Sequence, residues 1–356
     1  MSRVRLGFVG VGTQGQVAHL RNFVAISDCE VVALAEARPQ LGALGGARYG
    51  GPKVYPSPEE LLAHEELDGI VASQPFTRHG TLVPELLRAG VPVMTEKPLA
   101  GSIAAGQNIV DAVAGSGTWV MVGYHKRSDP ATMYARREMD RLAASGELGK
   151  LRYVRIVMPP GDYVAGAFND LVRTDEPYPA LEWDPPADDM DEETCQAYNS
   201  FVNYYIHQVN LLRHLLGEPY RVAYADPSGV LFVATSESGI CGTIEMAPYS
   251  TSVDWDESAL IGFEHGACGE AGAINLELPA PLACYRPGRV EIFRDPGQGA
   301  TPTRTVPTLP WVHAMRQQAI NFVAAIKGEA KPPCEAAEAL EDLKVAREYI
   351  RLWKGQ

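Results

Sequence analysis

The sequence has no apolar run approaching the ~20 residues that a membrane-spanning helix requires. Its first residues, MSRVRLGFVGVG, lack the cleavage pattern of a signal peptide and lead directly into a strand-like segment. The six cysteines form neither a CxxC pair nor a cluster with histidine, so neither a zinc site nor a disulfide framework is indicated. We therefore expect a cytoplasmic protein that binds neither a metal nor a membrane.

Positive charge is also scarce, with 31 lysines and arginines against 44 acids and a net charge of −13. Nucleic-acid binding is not expected, because it requires a positive face that releases counterions. A content of 46% hydrophobic and 21% charged residues is typical of a globular protein. A chain of 356 residues is long for one core, which favours two domains.

Much of the negative charge is concentrated in one segment. Between Asp175 and Glu193 lie nine acids and four prolines but no lysine or arginine. The segment could be a solvated surface loop or a lid over a polar pocket. Its acids do not follow the ligand spacing of a calcium-binding loop, so a metal site is not predicted there.

Strand-like and helix-like segments alternate through residues 4–125. Apolar runs such as VRLGFV (4–9), EVVALA (30–35) and LDGIVAS (67–73) are separated by segments with helical periodicity. One of these helices is predicted to begin at Ser57, with Glu60 in the capping-box position. This alternation predicts an α/β fold, a doubly wound parallel sheet with helices on both faces.

The glycine-rich turn GVGTQG (10–15) is informative because of its position within this alternation of strands and helices. It follows the first predicted strand, opens a helix, and is followed by Glu36 at the end of the second strand. This is the dinucleotide-binding arrangement, in which pyrophosphate lies at a helix N-terminus and the acid binds the ribose hydroxyls. The charge of Glu36 predicts NAD as the cofactor. Arg38 leaves NADP as an alternative, although it could instead lie over the adenine.

In the segment VPVMTEKPLAG (91–101), Glu96 and Lys97 lie at the end of a predicted apolar strand. Ligands of open parallel sheets bind at the carboxyl ends of the strands, so we expect the nicotinamide here. Lys97 could hydrogen-bond a substrate hydroxyl and stabilise negative charge that develops on its oxygen. Pro98 could set the strand exit through a cis bond. The alternative is a turn with Lys97 in solvent.

Together these motifs resemble one family. GVGTQG, the acid after EVVALA, QPFTRH (74–79), EKP (96–98) and VGYHKRSDP (122–130) are similar to segments of the glucose–fructose oxidoreductase/inositol dehydrogenase/rhizopine catabolism (Gfo/Idh/MocA) family. The resemblance implies an NAD(P)-dependent oxidoreductase that acts on a sugar or cyclitol. Motif and resemblance together predict cofactor contacts from Gly10, Gly12, Thr13, Gln14, Gly15, Glu36, Arg38, Ser73, Pro75, His79, Glu96 and Lys97.

The resemblance also implies a domain organisation. We expect a Rossmann domain over residues 1–125, a substrate and oligomerisation domain over 126–311, and C-terminal helices over 312–356 that pack back on the Rossmann domain. The second domain should contain a large, mostly antiparallel sheet, and β-rich stretches between about 220 and 294 agree with this expectation. A homodimer or homotetramer through that sheet is implied, with a small-molecule carbohydrate or cyclitol as substrate.

The second domain should supply a histidine. VNYYIHQVNLLRHLLGE (202–218) has helical periodicity, and Asn203 and His207 are spaced to share a helix face. The family pattern is DxxxHxxD; His207 matches its histidine, whereas Asn203 and Asn210 replace its acids. The resemblance implies that His207 takes the hydroxyl proton and that Asn203 orients it. An acid from elsewhere could compensate, turnover could be slow, or Lys97 could carry more of the proton chemistry.

His125 and Lys126 stand where the family often carries Asn and Arg. They are predicted to contact substrate, although they could merely lead into the next helix. Three functions remain open at this level: oxidation or reduction at a secondary alcohol of a sugar, glycoside or cyclitol; glycoside cleavage by transient ring oxidation and elimination; and a non-catalytic, NAD-bound sugar sensor.

Overall fold

The computed structural model describes residues 3–160, 163–247, 256–265, 270–295, 297 and 299–356. The chain forms two compact units. The first unit comprises Met1–Tyr124, Gly166–Asn203 and Met315–Lys344. The second comprises His125–Ala165, Tyr204–Ala314 and Val345–Gln356. The units are interleaved along the chain, and the consecutive domains predicted from the sequence stay a prediction.

A six-stranded parallel sheet forms the centre of the first unit. Its strands are β1 (Val4–Val9), β2 (Cys29–Ala35), β3 (Lys53–Tyr55), β4 (Gly69–Ala72), β5 (Val93–Thr95) and β6 (Val120–Val122). They lie in the order β3-β2-β1-β4-β5-β6. The order reverses between β1 and β4, which is where open α/β sheets bind their ligands.

Helices connect these strands. They are α1 (Arg21–Phe23, preceded by a π-helical turn at Gly15–Leu20), α2 (Pro39–Arg48), α3 (Pro58–His64), α4 (His79–Leu87) and α5 (Ile103–Ser116). The predicted cap is present, since the Ser57 hydroxyl accepts the Glu60 N–H at 3.3 Å. Short 3₁₀ turns occur at Phe76–Arg78, His125–Ser128 and Ala167–Asp170.

The core of the first unit includes a later part of the chain. Phe8 and Phe23 make an edge-to-face contact with ring centroids 5.3 Å apart. Phe322, on α9 (Ala314–Ile326), packs edge-on against Phe23 at 6.2 Å and against Trp119 at 5.7 Å. Aromatic pairs of this geometry add stability beyond their buried area. The C-terminal segment Met315–Lys344 is therefore part of the first unit.

The second unit is built on an eight-stranded sheet in the order β14-β13-β12-β11-β7-β10-β9-β8. Its strands are β7 (Lys150–Met158), β8 (Tyr220–Ala225), β9 (Leu231–Ser236), β10 (Cys241–Met246), β11 (Glu257–His265), β12 (Glu270–Leu278), β13 (Arg289–Asp295) and β14 (Thr303–Thr305). Only β7 and β10 pair in parallel among these described strands. The predicted fold class, a Rossmann sheet plus a large and mostly antiparallel sheet, is confirmed.

Four further helices lie in the later part of the chain. α6 (Pro130–Ser145) packs on β12 and β13, and α8 (Ile206–Leu216) packs on β7 and β10. α8 approaches β10 closely, because a Cβ on Gly242 would lie 2.9 Å from the Leu212 side chain. α7 (Glu192–Tyr204) precedes α8, and α10 (Ala336–Trp353) ends the chain.

Candidate active site

The glycine loop leaves β1 in a conformation that only small residues tolerate. Gly10 has φ +99°, and a Cβ there would lie 2.5 Å from the Ser73 carbonyl oxygen. A Cβ on Gly15 would lie 2.5 Å from the Gly10 carbonyl oxygen. Around Gly12, in contrast, no atom of the described residues other than Gly12 and its two chain neighbours lies within 4 Å of an added Cβ. Gly10 and Gly15 thus permit close packing, and Gly12 faces the open side that a pyrophosphate needs.

Thr13 and Gln14 are exposed at the start of the helical segment that follows the loop. Gln16, one residue past the motif, is buried and its side-chain amide donates to the Val11 carbonyl at 2.9 Å. The loop is therefore held from inside by a residue outside the predicted set. The exposed N-terminal turn fits an anion such as pyrophosphate.

Glu36 lies at the end of β2, as predicted, and its carboxylate is buried against the loop. One oxygen accepts the Val11 N–H at 2.9 Å. Arg38 donates to the same carboxylate from Nε at 2.7 Å, from a second guanidinium nitrogen at 3.1 Å and from its main-chain N–H at 3.2 Å. These contacts use the acceptor positions of the carboxylate. Ribose hydroxyls that bind Glu36 must therefore displace donors from Arg38.

The acidic segment seen in the sequence lies against this same unit. We define the crossing segment as residues 166–191, which precede α7. Near its start, Val172 exchanges two hydrogen bonds with the Gln16 side chain, each 3.0 Å long. Further on, the Glu176 carboxylate accepts the N–H groups of Gln40 and Leu41 at 2.9 Å each. The crossing segment thus contacts the helix after the glycine loop and the first turn of α2.

The remainder of the crossing segment continues toward α4. The Arg38 guanidinium lies 5.4 Å from the centroid of the Tyr178 ring. The Asp184 carboxylate accepts the N–H groups of Gly80 and Thr81, at 3.0 and 2.9 Å, at the start of α4. The segment is therefore anchored by carboxylates on two helix N-termini, where negative charge is stabilising. The sequence did not predict a metal site among the acids of the crossing segment. Among the described residues, no three His, Cys, Asp or Glu side chains form a metal-binding group; Cys268 lies outside those residues.

Lys97 follows β5 at the carboxyl edge of the parallel sheet, and the Lys97–Pro98 bond is cis, as the sequence allowed. Its ammonium donates to the main-chain carbonyl of Asn203 at 2.8 Å. Glu96 is held by the buried His19, whose Nε2 lies 2.5 Å from the Glu96 carboxylate. Burial opposes ionisation of Glu96, but the hydrogen bond and charge of His19, together with Lys97, outweigh it and lower the pKa of Glu96.

Ser73, Pro75 and His79 line the turn after β4. The Ser73 N–H donates to the Val9 carbonyl at 2.9 Å, and the Pro75 carbonyl accepts the Arg78 N–H at 3.0 Å. His79 is fully buried, with its ring nitrogens 3.1 and 3.2 Å from the carbonyls of Gln74 and Leu99. Burial lowers its pKa. These contacts support the turn, and a direct contact of the three residues with cofactor stays a prediction.

The predicted single helix through Asn203 and His207 is wrong. α7 ends at Tyr204 and α8 begins at Ile206, with Tyr205 between them. The Tyr205 carbonyl starts the new helix by accepting the Gln208 and Val209 N–H groups. Just before this break, the Asn203 carbonyl accepts a hydrogen bond from the Lys97 ammonium. Asn203 therefore meets Lys97 through its main chain, and Asn203 and His207 lie in different helices.

A second polar group of residues is buried in the second unit. The rings of His125 and His207 lie edge-to-face with centroids 4.4 Å apart. Lys126, which is buried, forms an ion pair with the fully buried Glu257 at 2.7 Å. The same Glu257 oxygen accepts the Gln208 side-chain amide at 2.5 Å. The structure thus brings together the predicted residues His125 and His207, and it gives Lys126 a carboxylate partner.

Asn210, the second amide that replaces an acid of the family pattern, has a different environment from Asn203. It is buried, and its side-chain oxygen accepts the Arg127 Nε at 2.6 Å. Asp129, two residues after Arg127, caps α6 by accepting the Ala131 N–H and also accepts the Gly288 N–H. Burial raises the pKa of Asp129 to about 6 despite these hydrogen bonds. Asn210 therefore holds the turn at 125–128, which carries His125 and Lys126.

Sequence reasoning missed several residues of these clusters, among them His19, Glu176, Gln208 and Glu257. Glu176 lies in the acidic segment that the sequence singled out, and Gln208 is next to His207. His19 and Glu257 carried no signal, since one is a lone histidine in a helix and the other a lone acid at a strand start. Only the folded chain brings them to their partners.

Comparison with known proteins supplies a family. Residues 4–124 match the family model GFO_IDH_MocA, described as an oxidoreductase family with an NAD-binding Rossmann fold. The rhizopine catabolism protein MocA of Rhizobium meliloti is 24% identical over 360 residues, which cover 99% of this chain and 96% of that protein. An inositol 2-dehydrogenase of Rhizobium meliloti is 23% identical over 366 residues, which cover 98% and 96%.

Solved structures show the same fold. An oxidoreductase from Agrobacterium radiobacter, in complex with NAD+, L-tartaric acid and magnesium, aligns with a TM-score of 0.68 at 15% identity, covering 100% of this chain and 98% of that one. NAD is therefore the cofactor of the nucleotide-binding unit, and its glycine loop and Glu36 fit that group. No helix among the described residues is long and apolar enough to cross a membrane.

Proposed function

Because the chain belongs to the Gfo/Idh/MocA family of oxidoreductases, we propose that it oxidises a secondary alcohol of a sugar, glycoside or cyclitol with NAD, or reduces the corresponding ketone. The observation that carries this proposal is the position of Lys97. An ammonium group follows β5 at the carboxyl edge of the sheet that also bears the glycine loop. The curated relatives named for inositol and rhizopine favour a cyclitol as the first substrate to test.

Bound NAD would supply the electron-pair acceptor for this oxidation. Lys97 would donate a hydrogen bond to the reacting oxygen and stabilise the negative charge that grows on it as its proton leaves. The Asn203 carbonyl orients the ammonium by accepting one of its protons at 2.8 Å. The carboxylate of Glu96, which precedes Lys97 in the chain, is held in position by its hydrogen bond with His19.

We assign to His207 the removal of the hydroxyl proton, on the strength of the family pattern that it matches. Its ring lies against His125, and Gln208 beside it is held by Glu257. An imidazole of suitable basicity typically contributes ~10²–10⁴-fold as a general base. His125 and Lys126 stay candidates for contacts with substrate hydroxyls. The Lys126–Glu257 pair would fix the turn that presents them.

A preference for NAD over NADP is part of the proposal. Glu36 places a buried negative charge at the end of β2, where the ribose 2′ position lies in dinucleotide-binding folds. Arg38, which might otherwise bind a 2′-phosphate, is paired with Glu36. A dimer or tetramer through the eight-stranded sheet also stays a proposal, to be tested by sedimentation.

The deciding experiment is a screen of inositols, sugars and glycosides with NAD, in which NADH production is monitored by its absorbance. Wild-type protein should produce NADH with at least one cyclitol or sugar, and the Lys97→Met variant should not. Release of an aglycone without net NADH would instead identify glycoside cleavage by transient oxidation. Binding of NAD and of a sugar without any turnover would identify a sensor.

A further inference from the structure

The first turn of α2 has all its donors occupied by the chain itself. Pro39 has no N–H, and the Gly42 N–H starts the helix ladder on the Arg38 carbonyl at 2.9 Å. The remaining N–H groups, those of Gln40 and Leu41, both donate to the Glu176 carboxylate at 2.9 Å. The first N–H groups of a helix form an anion-binding site, so Glu176 serves as the anion of α2.

This position matters because α2 begins directly after the residues that distinguish the two nicotinamide cofactors. Glu36 ends β2, and Arg38 immediately precedes Pro39. The additional phosphate of NADP is bound in such folds by arginine near the end of β2, and a helix N-terminus favours the same charge. In this chain the guanidinium of Arg38 is paired with Glu36.

The charges around Arg38 agree with this arrangement. The hydrogen bond that Arg38 donates to Glu36 is the main cause that raises the pKa of Arg38, and electrostatic interactions with Tyr178 and Glu176 act in the same direction. Glu176 therefore acts on the same guanidinium from the crossing segment. Tyr178, whose ring lies under that guanidinium at 5.4 Å, comes from the same segment.

We propose that Glu176 is a second determinant of NAD over NADP, because its carboxylate occupies the position on α2 and beside Arg38 that a ribose 2′-phosphate would require. This inference rests on the proposed use of NAD. It extends the discrimination from the single acid of the β2 motif to a residue contributed by a segment far along the chain. A change at Glu36 alone should consequently leave the phosphate position blocked.

Asp184 provides a matched control within the same segment. Its carboxylate accepts two successive N–H groups, those of Gly80 and Thr81, at 3.0 and 2.9 Å. It therefore anchors the crossing segment on a helix N-terminus as Glu176 does, but on α4, which follows β4 rather than β2. If Glu176 merely anchors the segment, substitution of either residue should affect nucleotide binding in the same way.

The test is direct binding of NAD+ and of NADP+, each measured by titration calorimetry on the full chain. Wild type, Glu176→Ala, Glu176→Gln and Asp184→Ala are compared, with unfolding midpoints to verify folding. For Glu176→Ala we expect the ratio of the NADP+ to the NAD+ dissociation constant to fall by at least about tenfold, since a phosphate gains charge-assisted N–H bonds and loses a repulsive charge. Asp184→Ala should keep the wild-type ratio within about threefold.

Glu176→Gln keeps one oxygen acceptor and removes the charge, so it should shift the ratio in the same direction by a smaller factor. Glu176→Gln also provides the measurement of the dissociation-constant ratio if the alanine variant does not fold. An unchanged ratio in both Glu176 variants, or equal shifts in the Glu176 and Asp184 variants, overturns the proposal while the use of NAD stands. A wild type that binds NADP+ as tightly as NAD+ overturns both.

Discussion

Three carboxylates of the first unit and the Lys126–Glu257 pair of the second unit are held in different ways. In the first unit the carboxylates of Glu36, Glu176 and Asp184 accept main-chain N–H groups. In the second unit Lys126 and Glu257 hold each other. A main-chain N–H that loses its carboxylate at an accessible helix end can bind water or another anion. A buried ammonium that loses its carboxylate is left as an uncompensated charge.

This difference suggests how each unit responds to change. The first unit can exchange one anion for another at its helix ends, which is what a nucleotide-binding edge requires. The second unit should tolerate changes in its buried pair only when both partners change together. The following predictions test that contrast, from the largest expected effect to the smallest.

Lys97→Ala should lower turnover by ~10²–10⁴-fold, the usual contribution of one positioned catalytic group. Lys97 donates to the Asn203 carbonyl, and its proposed role is on the substrate oxygen and not on the dinucleotide, so its loss should leave NAD binding nearly intact. Steady-state kinetics and titration with NAD provide the two measurements. Retention of more than about a tenth of wild-type activity would exclude Lys97 as that group.

Glu257→Leu should reduce the free energy of unfolding by ~3–5 kcal/mol, because it leaves the buried Lys126 ammonium without its carboxylate. The double variant with Lys126→Met should lose less than the sum of the two single changes. Urea unfolding of all four proteins measures the coupling. Glu176→Ala is the control from the first unit, where loss of an accessible carboxylate at a helix N-terminus should lower the free energy of unfolding much less. Equal losses in the two units would contradict the contrast.

Asp129 should make stability depend on pH. Burial raises its folded pKa to about 6, above the ordinary value, so the folded chain keeps this proton after the unfolded chain has lost it. The associated stabilisation is complete below about pH 4 and is lost as pH rises through about 6, for a total of ~3 kcal/mol. Subtraction of the Asp129→Asn curve from the wild-type curve, both from urea unfolding between these limits, should reveal that slope. Parallel curves would refute it.

Glu36→Ala should weaken NAD binding by ~1–3 kcal/mol, since it strands the ribose hydroxyls and removes the acceptor of the Val11 N–H. The Arg38 guanidinium loses its pairing partner in the same variant. Calorimetric titration with NAD+ measures the loss. A dissociation constant within about twofold of wild type would mean that Glu36 organises the loop without contacting the ribose.

Asn203→Ala should have the smallest effect. The contact with Lys97 uses the main-chain carbonyl of Asn203, which every residue possesses. We expect kcat/KM to change by less than about threefold, within ~0.7 kcal/mol. A larger loss with unchanged stability would show that the exposed amide of Asn203 takes part in the reaction, either on substrate or by orienting His207 as the family pattern implied. His207→Ala is the companion variant and should lose at least tenfold in kcat near neutral pH.

Much of the first unit could be predicted because its features are local. Gly10, Gly15 and Glu36 have their roles within one strand–turn–helix repeat, and hydrophobic periodicity identified the strands on either side. The helix through Asn203 and His207 shows the limit of such reasoning. Its periodicity is continuous in the sequence, yet the chain restarts the helix at Tyr205. Tertiary contacts that periodicity does not report accompany the break, since the Asn203 carbonyl accepts a hydrogen bond from the Lys97 ammonium there.

By itself the sequence determined the alternation of strands and helices, the glycine loop, the acid at the end of β2 and the lysine after β5, because short-range sterics and periodicity specify each of them. Only the tertiary structure decided where the acidic segment lies and which residues pair in the second unit. Glu176 meets α2 across 135 residues of chain, and Glu257 meets Gln208 across 49. Such partners are chosen by the fold, since a carboxylate has no local preference among distant donors.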